Sequence, residues 1–265
     1  MAGMARTVLI TGATDGLGRA LAERAHGEGW TVVAHGRSAD KLAELERTLP
    51  GITTLRADLA SLAETERLAD AALAAGEHLH ALVSNAGIGF GDGRREVSAD
   101  GLELRFAVNY LAGYSLIRRL LPRLRASAPA RVVLVASAGQ HPIDFHDVML
   151  EDGYDGRRAY AQSKLAQIML ALDLAEELDP AQVTATALHP ATFMPTKMVT
   201  DIGIAPVSSL AQGLEATWRL VADPALDGVS GRYFNGLREA RPDVQALDPE
   251  ARRALRELSE RLTGV

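Results

Sequence analysis

Short apolar runs, often β-branched, alternate along the chain with longer segments in which apolar residues recur every three or four positions. The short runs are typical of buried strands, and the periodic segments are typical of helices with one apolar face. This alternation predicts a parallel sheet with helices on both faces. The predicted fold class is α/β, a doubly wound sheet of about seven strands in one domain spanning 1–265. The predicted strands are 8–10, 31–35, 52–57, 79–83, 131–136, 183–188 and 232–234.

Helical periodicity is clearest at 102–125, 159–178 and 208–222. Pro122 lies inside the first of these segments and predicts a kink there, because proline cannot donate the helical hydrogen bond. Ser38 is expected to cap the helix after the second strand. Asp248 followed by Pro249 predicts the N-cap and first turn of a charged C-terminal helix. Two irregular stretches are predicted to be loops: 89–101, a polar and glycine-rich surface loop, and 139–158, which is expected to carry substrate contacts.

A glycine-rich turn separates the first strand from the first helix and reads Thr-Gly-Ala-Thr-Asp-Gly-Leu-Gly over 11–18. Glycines permit a tight turn and a close approach of ligand to backbone. The helix that follows offers free N–H groups to a diphosphate. Between a strand and a helix, this pattern predicts a dinucleotide site. We expect the contacts to come from Gly12, Thr14, Asp15, Gly16, Leu17 and Gly18.

The ends of the second and third strands are predicted to bind the adenosine half of that dinucleotide. Gly36 and Arg37 stand where an acidic residue would bind a ribose hydroxyl and an arginine suits a 2′-phosphate. NADP(H) is therefore favoured over NAD(H). The alternative is that Arg37 is simply solvated. The acidic Asp15 in the glycine loop also weakens the case for a 2′-phosphate. Asp58 and Leu59 end the third strand. Asp58 either accepts a hydrogen bond from an adenine amino group or caps the next helix.

Small and polar side chains follow two further strands. Asn85, Ala86 and Gly87 are expected to line the nicotinamide half of the site. Ser137 follows the fifth strand, and ligands of open α/β sheets bind at the carboxyl ends of strands. We therefore expect Ser137 to donate a hydrogen bond to a substrate oxygen. Asn109 lies in an apolar helical stretch, where its amide needs hydrogen-bond partners.

Tyr160 and Lys164 stand four residues apart in the longest helical segment, so they share one face of that helix. A free phenol has a pKa of ~10, and a nearby ammonium favours its ionised form. The pair is a candidate proton donor to a carbonyl oxygen. Such pairs also occur on solvated helix faces, so the interpretation depends on the residues around them.

Composition narrows the functional classes. The net charge of −6 speaks against a nucleic-acid groove. The absence of cysteine excludes disulfides and thiolate metal sites, and the histidines lack metal-binding spacing, so no metal is expected. No apolar stretch approaches the ~18 residues of a membrane span. The N-terminus is too short and polar for a signal peptide. We therefore expect a soluble, cytoplasmic protein without membrane contact.

Together these motifs resemble the short-chain dehydrogenase/reductase family over nearly the whole chain. The interval between Ser137 and Tyr160 is longer than is usual in the family. The segments 143–147 and 159–167 are similar to its retinol-dehydrogenase-like branch, which also includes the protochlorophyllide reductases. The residues that carry the resemblance follow the family's order: the glycine loop 11–18, Asn85-Ala86-Gly87, Asn109, Ser137 and Tyr160 with Lys164.

The resemblance implies a Rossmann-type fold and an NADP(H)-dependent oxidoreductase that interconverts a small-molecule carbonyl and an alcohol by hydride transfer. In this reading Tyr160 is the general acid/base. Lys164 lowers the pKa of Tyr160 and binds the nicotinamide ribose together with it. Ser137 binds the substrate oxygen, and Asn109 holds a water in a proton relay. A homodimer or homotetramer built on the helices of Asn109 and Tyr160 is common in the family.

The segment after the sixth strand, about 190–210, is predicted to be a substrate lid. Pro190 and Thr192 are expected beside the cofactor, although Thr196, one residue later than the family's threonine, competes with Thr192 for that role. Methionine and phenylalanine side chains near the site indicate either an apolar pocket or plain packing. They are Met149, Phe193, Met194 and Met198.

Two other functions remain open on the sequence. One is reduction of a carbon–carbon double bond, as in the protochlorophyllide branch, although the absence of cysteine weighs against the chlorophyll-type version. The other is a non-catalytic NADP(H)-binding sensor. A broken catalytic set or glycine loop would mark such a sensor, and neither is broken here.

Overall fold

The computed structural model describes residues 5–200, 203 and 205–265. In this part of the chain one sheet has the strand order β3-β2-β1-β4-β5-β6-β7-β8. Every neighbouring pair is parallel except β7 with β8. The predicted doubly wound α/β sheet is confirmed. The strands are β1 Thr7–Ile10, β2 Thr31–Gly36, β3 Thr53–Arg56, β4 Ala81–Ser84, β5 Ala130–Val135, β6 Val183–His189, β7 Arg232–Asn235 and β8 Arg238–Glu239.

The eighth strand is the difference from the predicted sheet. It pairs antiparallel with β7, Asn235 opposite Arg238, across a tight turn in which Gly236 has φ +58°. Both of its residues, Arg238 and Glu239, are exposed. Because the strand buries nothing, the apolar pattern contains no signal for it. It closes an otherwise parallel sheet with an antiparallel edge.

Helices cover both faces of the sheet. Helices α1, α2 and α7 share one apolar core, and α3, α4 and α5 share the other. The predicted caps are present: Ser38 accepts from the backbone N–H of α2, and Asp248 does the same at α8. The helices are α1 Gly16–Gly27, α2 Ala39–Thr48, α3 Leu62–Ala74, α4 Ala112–Ala126, α5 Gly156–Glu177, α6 Lys197–Thr200, α7 Leu210–Ala222 and α8 Pro249–Thr263.

The helix predicted over 102–125 is not uniform. Its first part, Phe106–Leu111, is π-helical, and α4 continues from it with Pro122 inside. A π-helical turn leaves some carbonyl groups without the usual partner and is frequent at functional sites. Asn109 lies within this turn, so the irregularity falls where the sequence placed a candidate site residue.

The C-terminal helix α8 packs on the helices that carry the candidate site residues. The Tyr110 hydroxyl lies 2.8 Å from that of Ser259, and Arg256 donates to Asp173 of α5 at 2.8 Å. A dimer formed through this face would have to pack on α8 or displace it. The homodimer or homotetramer suggested by the sequence stays a prediction.

The described ranges hold neither a membrane-spanning helix nor a metal-binding cluster. None of the helices there has the length and apolar character needed to cross a bilayer. Within those ranges, no three or more histidine, cysteine or acidic residues are grouped so that they could hold a metal ion. The expected cytoplasmic location stays a prediction.

Candidate active site

The candidate residues gather at the carboxyl edge of the sheet, where β1, β2, β4 and β5 end. Parallel strands bring their carboxyl ends to one edge, and ligands bind there in open α/β sheets. The glycine loop follows β1, Asn85 follows β4 and Ser137 follows β5. Tyr160 and Lys164 reach this edge from the N-terminal part of α5, through contacts with Ser137 and with Val135 of β5.

The glycine loop is packed too tightly for side chains at two of its glycines. Gly12 has φ +66°, and a Cβ there would lie 2.9 Å from the Cα of Ala86. A Cβ at Gly18 would overlap the carbonyl oxygen of Gly12. The amide of Asn85 donates to the carbonyl oxygens of Thr11 and Gly12 at 2.9 and 3.3 Å. The two glycines thus let the chain turn tightly into the N-terminus of α1, the kind of helix end that binds a diphosphate.

Asp15 does not present an uncompensated charge to this loop. It is the N-cap of α1 and accepts from the N–H of Gly16 at 2.8 Å. Its other carboxylate oxygen lies 2.6 Å from the ammonium of Lys41. The ion pair with Lys41 therefore weakens the repulsion that Asp15 would exert on a 2′-phosphate. Leu17 is buried in the core, so only its backbone can face a cofactor.

Thr14 and two arginines surround the end of β2. The Thr14 side chain lies over Gly36, since a Cβ at Gly36 would overlap its methyl group. Arg37 is exposed directly after β2. Arg56, at the end of β3, donates to the carbonyl oxygen of Arg37 at 3.3 Å. Two guanidinium groups therefore belong to the region where a 2′-phosphate is expected.

One of the two roles predicted for Asp58, after β3, is that of N-cap of the next helix. The N-cap of α3 is Ser61, which accepts from the N–H of Glu64 at 3.3 Å. Asp58 instead accepts from the N–H of Ala60 at 3.0 Å, so the alternative that it caps α3 is wrong. Leu59 is buried, which leaves only its backbone available to a cofactor. Adenine binding by Asp58 stays a prediction.

The side chain of Asn109 holds the segment after β4. Its Oδ1 accepts from the N–H of Ile88 at 2.7 Å, and its amide donates to the carbonyl of Ile88 at 3.1 Å and to the Ser163 hydroxyl at 2.9 Å. A Cβ at Gly87 would lie only 3.2 Å from that Oδ1. These contacts show that Asn109 holds the segment after β4 in place, and the expectation that it holds a relay water stays a prediction.

Tyr160 and Ser137 form the hydrogen-bonded centre of the site. Burial raises the pKa of Tyr160, and the hydrogen bond with Ser137 acts against that rise. The Ser137 hydroxyl also accepts from the N–H of Gly139 at 3.0 Å. The buried hydroxyl of Tyr233 donates to the Ser137 backbone carbonyl at 3.0 Å, which fixes the end of β5. A protonated phenol at this position can act as an acid.

The ammonium of Lys164 lies near the ring of Tyr160, but its hydrogen bonds go to other residues. Its ammonium donates to the carbonyl of Val135 and to Oε1 of Gln167, both at 2.9 Å, and lies 5.7 Å from the centre of the Tyr160 ring. Burial lowers the pKa of Lys164 to about 7. In this geometry burial raises the pKa of Tyr160, and the expectation that the charge of Lys164 lowers it stays a prediction.

The segment after β6 places Thr196, rather than Thr192, against the glycine loop. A Cβ at Gly16 would lie 3.0 Å from the methyl group of Thr196. The hydroxyl of Thr192 lies 3.0 Å from Nε2 of His189. Pro190 is buried at the end of β6. The predicted lid at 190–210 extends over residues outside the described part of the chain, and its closing motion stays a prediction.

The apolar side chains near the site divide between packing and pocket. Met149 accepts from the N–H of Glu103 at 3.4 Å and packs on one core, and Met194 packs on the other. Met198 lies against Gly89. Phe193 is 39% exposed and adopts φ +44°, an unfavourable conformation for a phenylalanine and one that often marks functional loops. Of the four residues, only Phe193 and Met198 therefore remain candidates for an apolar pocket.

Phe90 is a site residue that the sequence did not indicate. Its ring meets that of Tyr160 edge to face at 4.9 Å between centroids, and the guanidinium of Arg157 lies 5.4 Å from it. Gly156 is packed against the Phe90 backbone, so α5 begins directly beside this ring. A lone phenylalanine in a polar loop carries no signal of this contact. Phe90 forms an apolar wall beside the phenol.

Comparison with known families decides between the interpretations of this geometry. A family model described as short chain dehydrogenase matches residues 6–205. The chain belongs to the short-chain dehydrogenase family. The protein is therefore an oxidoreductase that uses NAD or NADP to interconvert carbonyl and alcohol groups. The resemblance based on the glycine loop and the Tyr160–Lys164 pair is confirmed at the level of the family.

Similar proteins place this short-chain dehydrogenase in the retinol-dehydrogenase-like branch. Retinol dehydrogenase 13 of Mus musculus is 32% identical over 98% of this chain and 84% of its own length. Retinol dehydrogenase 14 of Homo sapiens is 31% identical, with 98% and 87% covered. A crystal structure of an uncharacterised protein from Mycobacterium paratuberculosis aligns with a TM-score of 0.80 at 27% identity, covering 98% of this chain and 94% of the other.

Proposed function

We propose that this short-chain dehydrogenase uses NADP(H) to interconvert a carbonyl and an alcohol, with Tyr160 as general acid/base. The observation that carries the proposal is the convergence of Ser137, Tyr160 and Lys164 beside the glycine loop. The names of the retinol dehydrogenases support an alcohol/carbonyl substrate. The Pseudomonas aeruginosa RhlG/NADP active-site complex, 27% identical with a TM-score of 0.66 over 88% of this chain and 95% of the other, supports NADP.

The residues present fit a dinucleotide. Glycines at 12 and 18 keep side chains away from the turn, and α1 presents its N-terminus there. Arg37 and Arg56 would hold a 2′-phosphate, since guanidinium groups bind phosphate bidentately. The nicotinamide, when bound, supplies or accepts the hydride. Gly87 lets the backbone pass close to Lys164, since a Cβ there would lie 3.4 Å from the ammonium.

The proton steps fall to side chains of this chain. In the reducing direction the Tyr160 phenol, kept protonated by burial, donates its proton to the substrate oxygen. The Ser137 hydroxyl donates a hydrogen bond to the same oxygen and so orients it. The pKa of about 7 at Lys164 allows that amine to take up or release a proton near neutral pH. In the oxidising direction Tyr160 must first lose its proton, and the phenolate then receives the proton of the alcohol.

The reaction is tested by following NADPH oxidation against a panel of aldehydes, ketones and enones, with NADPH binding measured in parallel. Turnover of the carbonyl compounds is expected. Turnover of enones with loss of the double bond would favour a carbon–carbon double-bond reductase instead. NADPH binding without turnover over the whole panel would favour a non-catalytic sensor.

Arg37→Ala is expected to reduce the preference for NADPH over NADH by ~10-fold or more, because a charge-assisted bidentate contact to the 2′-phosphate is lost. KM for both cofactors should be compared in wild type and variant. Arg67→Ala, which removes an exposed arginine on α3, is the matched control and should leave the preference unchanged. An unchanged preference in Arg37→Ala would contradict the assignment of Arg37 to the 2′-phosphate.

Phe90→Ala is expected to raise KM for apolar carbonyl substrates by ~3–10-fold while kcat changes less, because the wall beside Tyr160 is removed but the phenol remains. Steady-state kinetics with a short and a long aliphatic aldehyde measure the effect, which should be larger for the long one. Phe90→Leu keeps an apolar side chain and serves as the control. Equal KM values in wild type and Phe90→Ala would exclude Phe90 from the substrate pocket.

A further inference from the structure

His35 joins three structural elements under the glycine loop. It lies on β2 directly before Gly36, and its side chain is only 3% exposed. Its Nδ1 lies 3.3 Å from the N–H of Gly12, and its Nε2 lies 3.1 Å from the carbonyl of Ala57, just after β3. Its own carbonyl accepts from the N–H of Ala13 at 2.8 Å. Two successive N–H groups of the loop, those of Gly12 and Ala13, thus both donate to His35.

The partners of the His35 ring fix its protonation. A backbone N–H can only donate, so Nδ1 must offer a lone pair to Gly12. A carbonyl can only accept, so Nε2 must carry the hydrogen that points to Ala57. The ring is therefore neutral and held in one tautomer. Burial, which lowers the pKa of His35, favours the same form, although the nearby carboxylate of Asp58 acts against it.

We propose that His35 is a positioning residue that sets the conformation of the glycine loop and thereby the affinity for the cofactor. Gly12 is one of the two glycines of this loop with positive φ, at +66°, and its carbonyl receives the amide of Asn85 from the other side. His35 and Asn85 therefore hold Gly12 from both sides. The inference rests on the proposed function, because it takes this loop as the dinucleotide site.

Two near-isosteric variants separate the two contacts of the ring. His35→Asn retains an acceptor close to the position of Nδ1, and His35→Gln retains a donor close to the position of Nε2. His35→Leu retains neither. The measurements are Kd for NADPH by nicotinamide fluorescence and the free energy of unfolding in urea, so that loss of folding is distinguished from loss of binding.

The expected result is that His35→Asn binds NADPH nearly as wild type does, whereas His35→Gln and His35→Leu bind it ~10-fold more weakly, since only they leave the N–H of Gly12 without a partner. Weakening in His35→Gln without a matching loss of unfolding free energy relative to His35→Asn would support the positioning role. Wild-type affinity in His35→Gln, or equal weakening in His35→Asn and His35→Gln, would overturn it. If wild-type protein binds neither NADPH nor NADH, the proposed function itself fails, and the inference fails with it.

Discussion

Replacing Tyr160 by phenylalanine should reduce kcat by ~10²–10⁴-fold and leave NADPH binding nearly intact. The substitution removes the hydroxyl that hydrogen-bonds with Ser137 and keeps the ring that meets Phe90 edge to face. The packing of the site is therefore preserved, and only the proton donor is lost. Single-turnover kinetics with a substrate found in the carbonyl panel, together with a fluorescence titration of NADPH, measure the two effects separately.

The matched control for this variant is Tyr114→Phe. Tyr114 lies on α4, and its hydroxyl donates to the carbonyl of Val265 at 3.4 Å, in contact with the C-terminus rather than with the site. That variant should turn over substrate at the wild-type rate. Undiminished turnover in Tyr160→Phe would remove Tyr160 from the mechanism. Loss of NADPH binding in the same variant would show that the hydroxyl of Tyr160 also contributes strongly to cofactor binding.

The parts of this fold that were predictable from the sequence are those governed by local patterns. The apolar runs predicted seven strands to within about two residues at each end, because a strand buried on both faces needs a continuous apolar run. Ser38 and Asp248 were predicted as caps because an N-cap acts within its own helix turn. The glycine loop was predictable for the same reason, since strand, turn and helix follow one another directly.

The parts that were not predictable depend on contacts between distant segments. The polar partners of Lys164 include the carbonyl of Val135, which no spacing within α5 indicates. The clamp between Asn109 and Ile88 and the contact between Phe90 and Tyr160 likewise join residues far apart in the chain. The π-helical turn around Asn109 keeps the apolar periodicity of a helix, so the pattern predicted helix without its irregularity.

Replacing Lys164 by methionine should lower kcat by at least ~100-fold, because the amine that can exchange a proton beside Tyr160 is removed. Methionine has a similar length and is apolar, so it fits the buried position. The variant also loses the hydrogen bonds to Val135 and Gln167, which shifts its stability at every pH. The dependence of stability on pH therefore isolates the titration of the amine.

The sign of that dependence follows from the pKa of Lys164, which burial lowers from 10.5 to about 7. Between these values the unfolded chain holds a proton that the folded protein has released, so wild-type stability should rise with pH across this interval relative to Lys164→Met. Each pKa unit corresponds to about 1.4 kcal/mol, which makes the rise large enough to measure by urea unfolding at several pH values. Lys41→Met, which removes an exposed lysine, is the control and should keep the rise that Lys164→Met loses. A constant difference between wild type and Lys164→Met at every pH would mean that Lys164 keeps its ordinary pKa in the folded protein, and its ammonium would then need a compensating charge within reach.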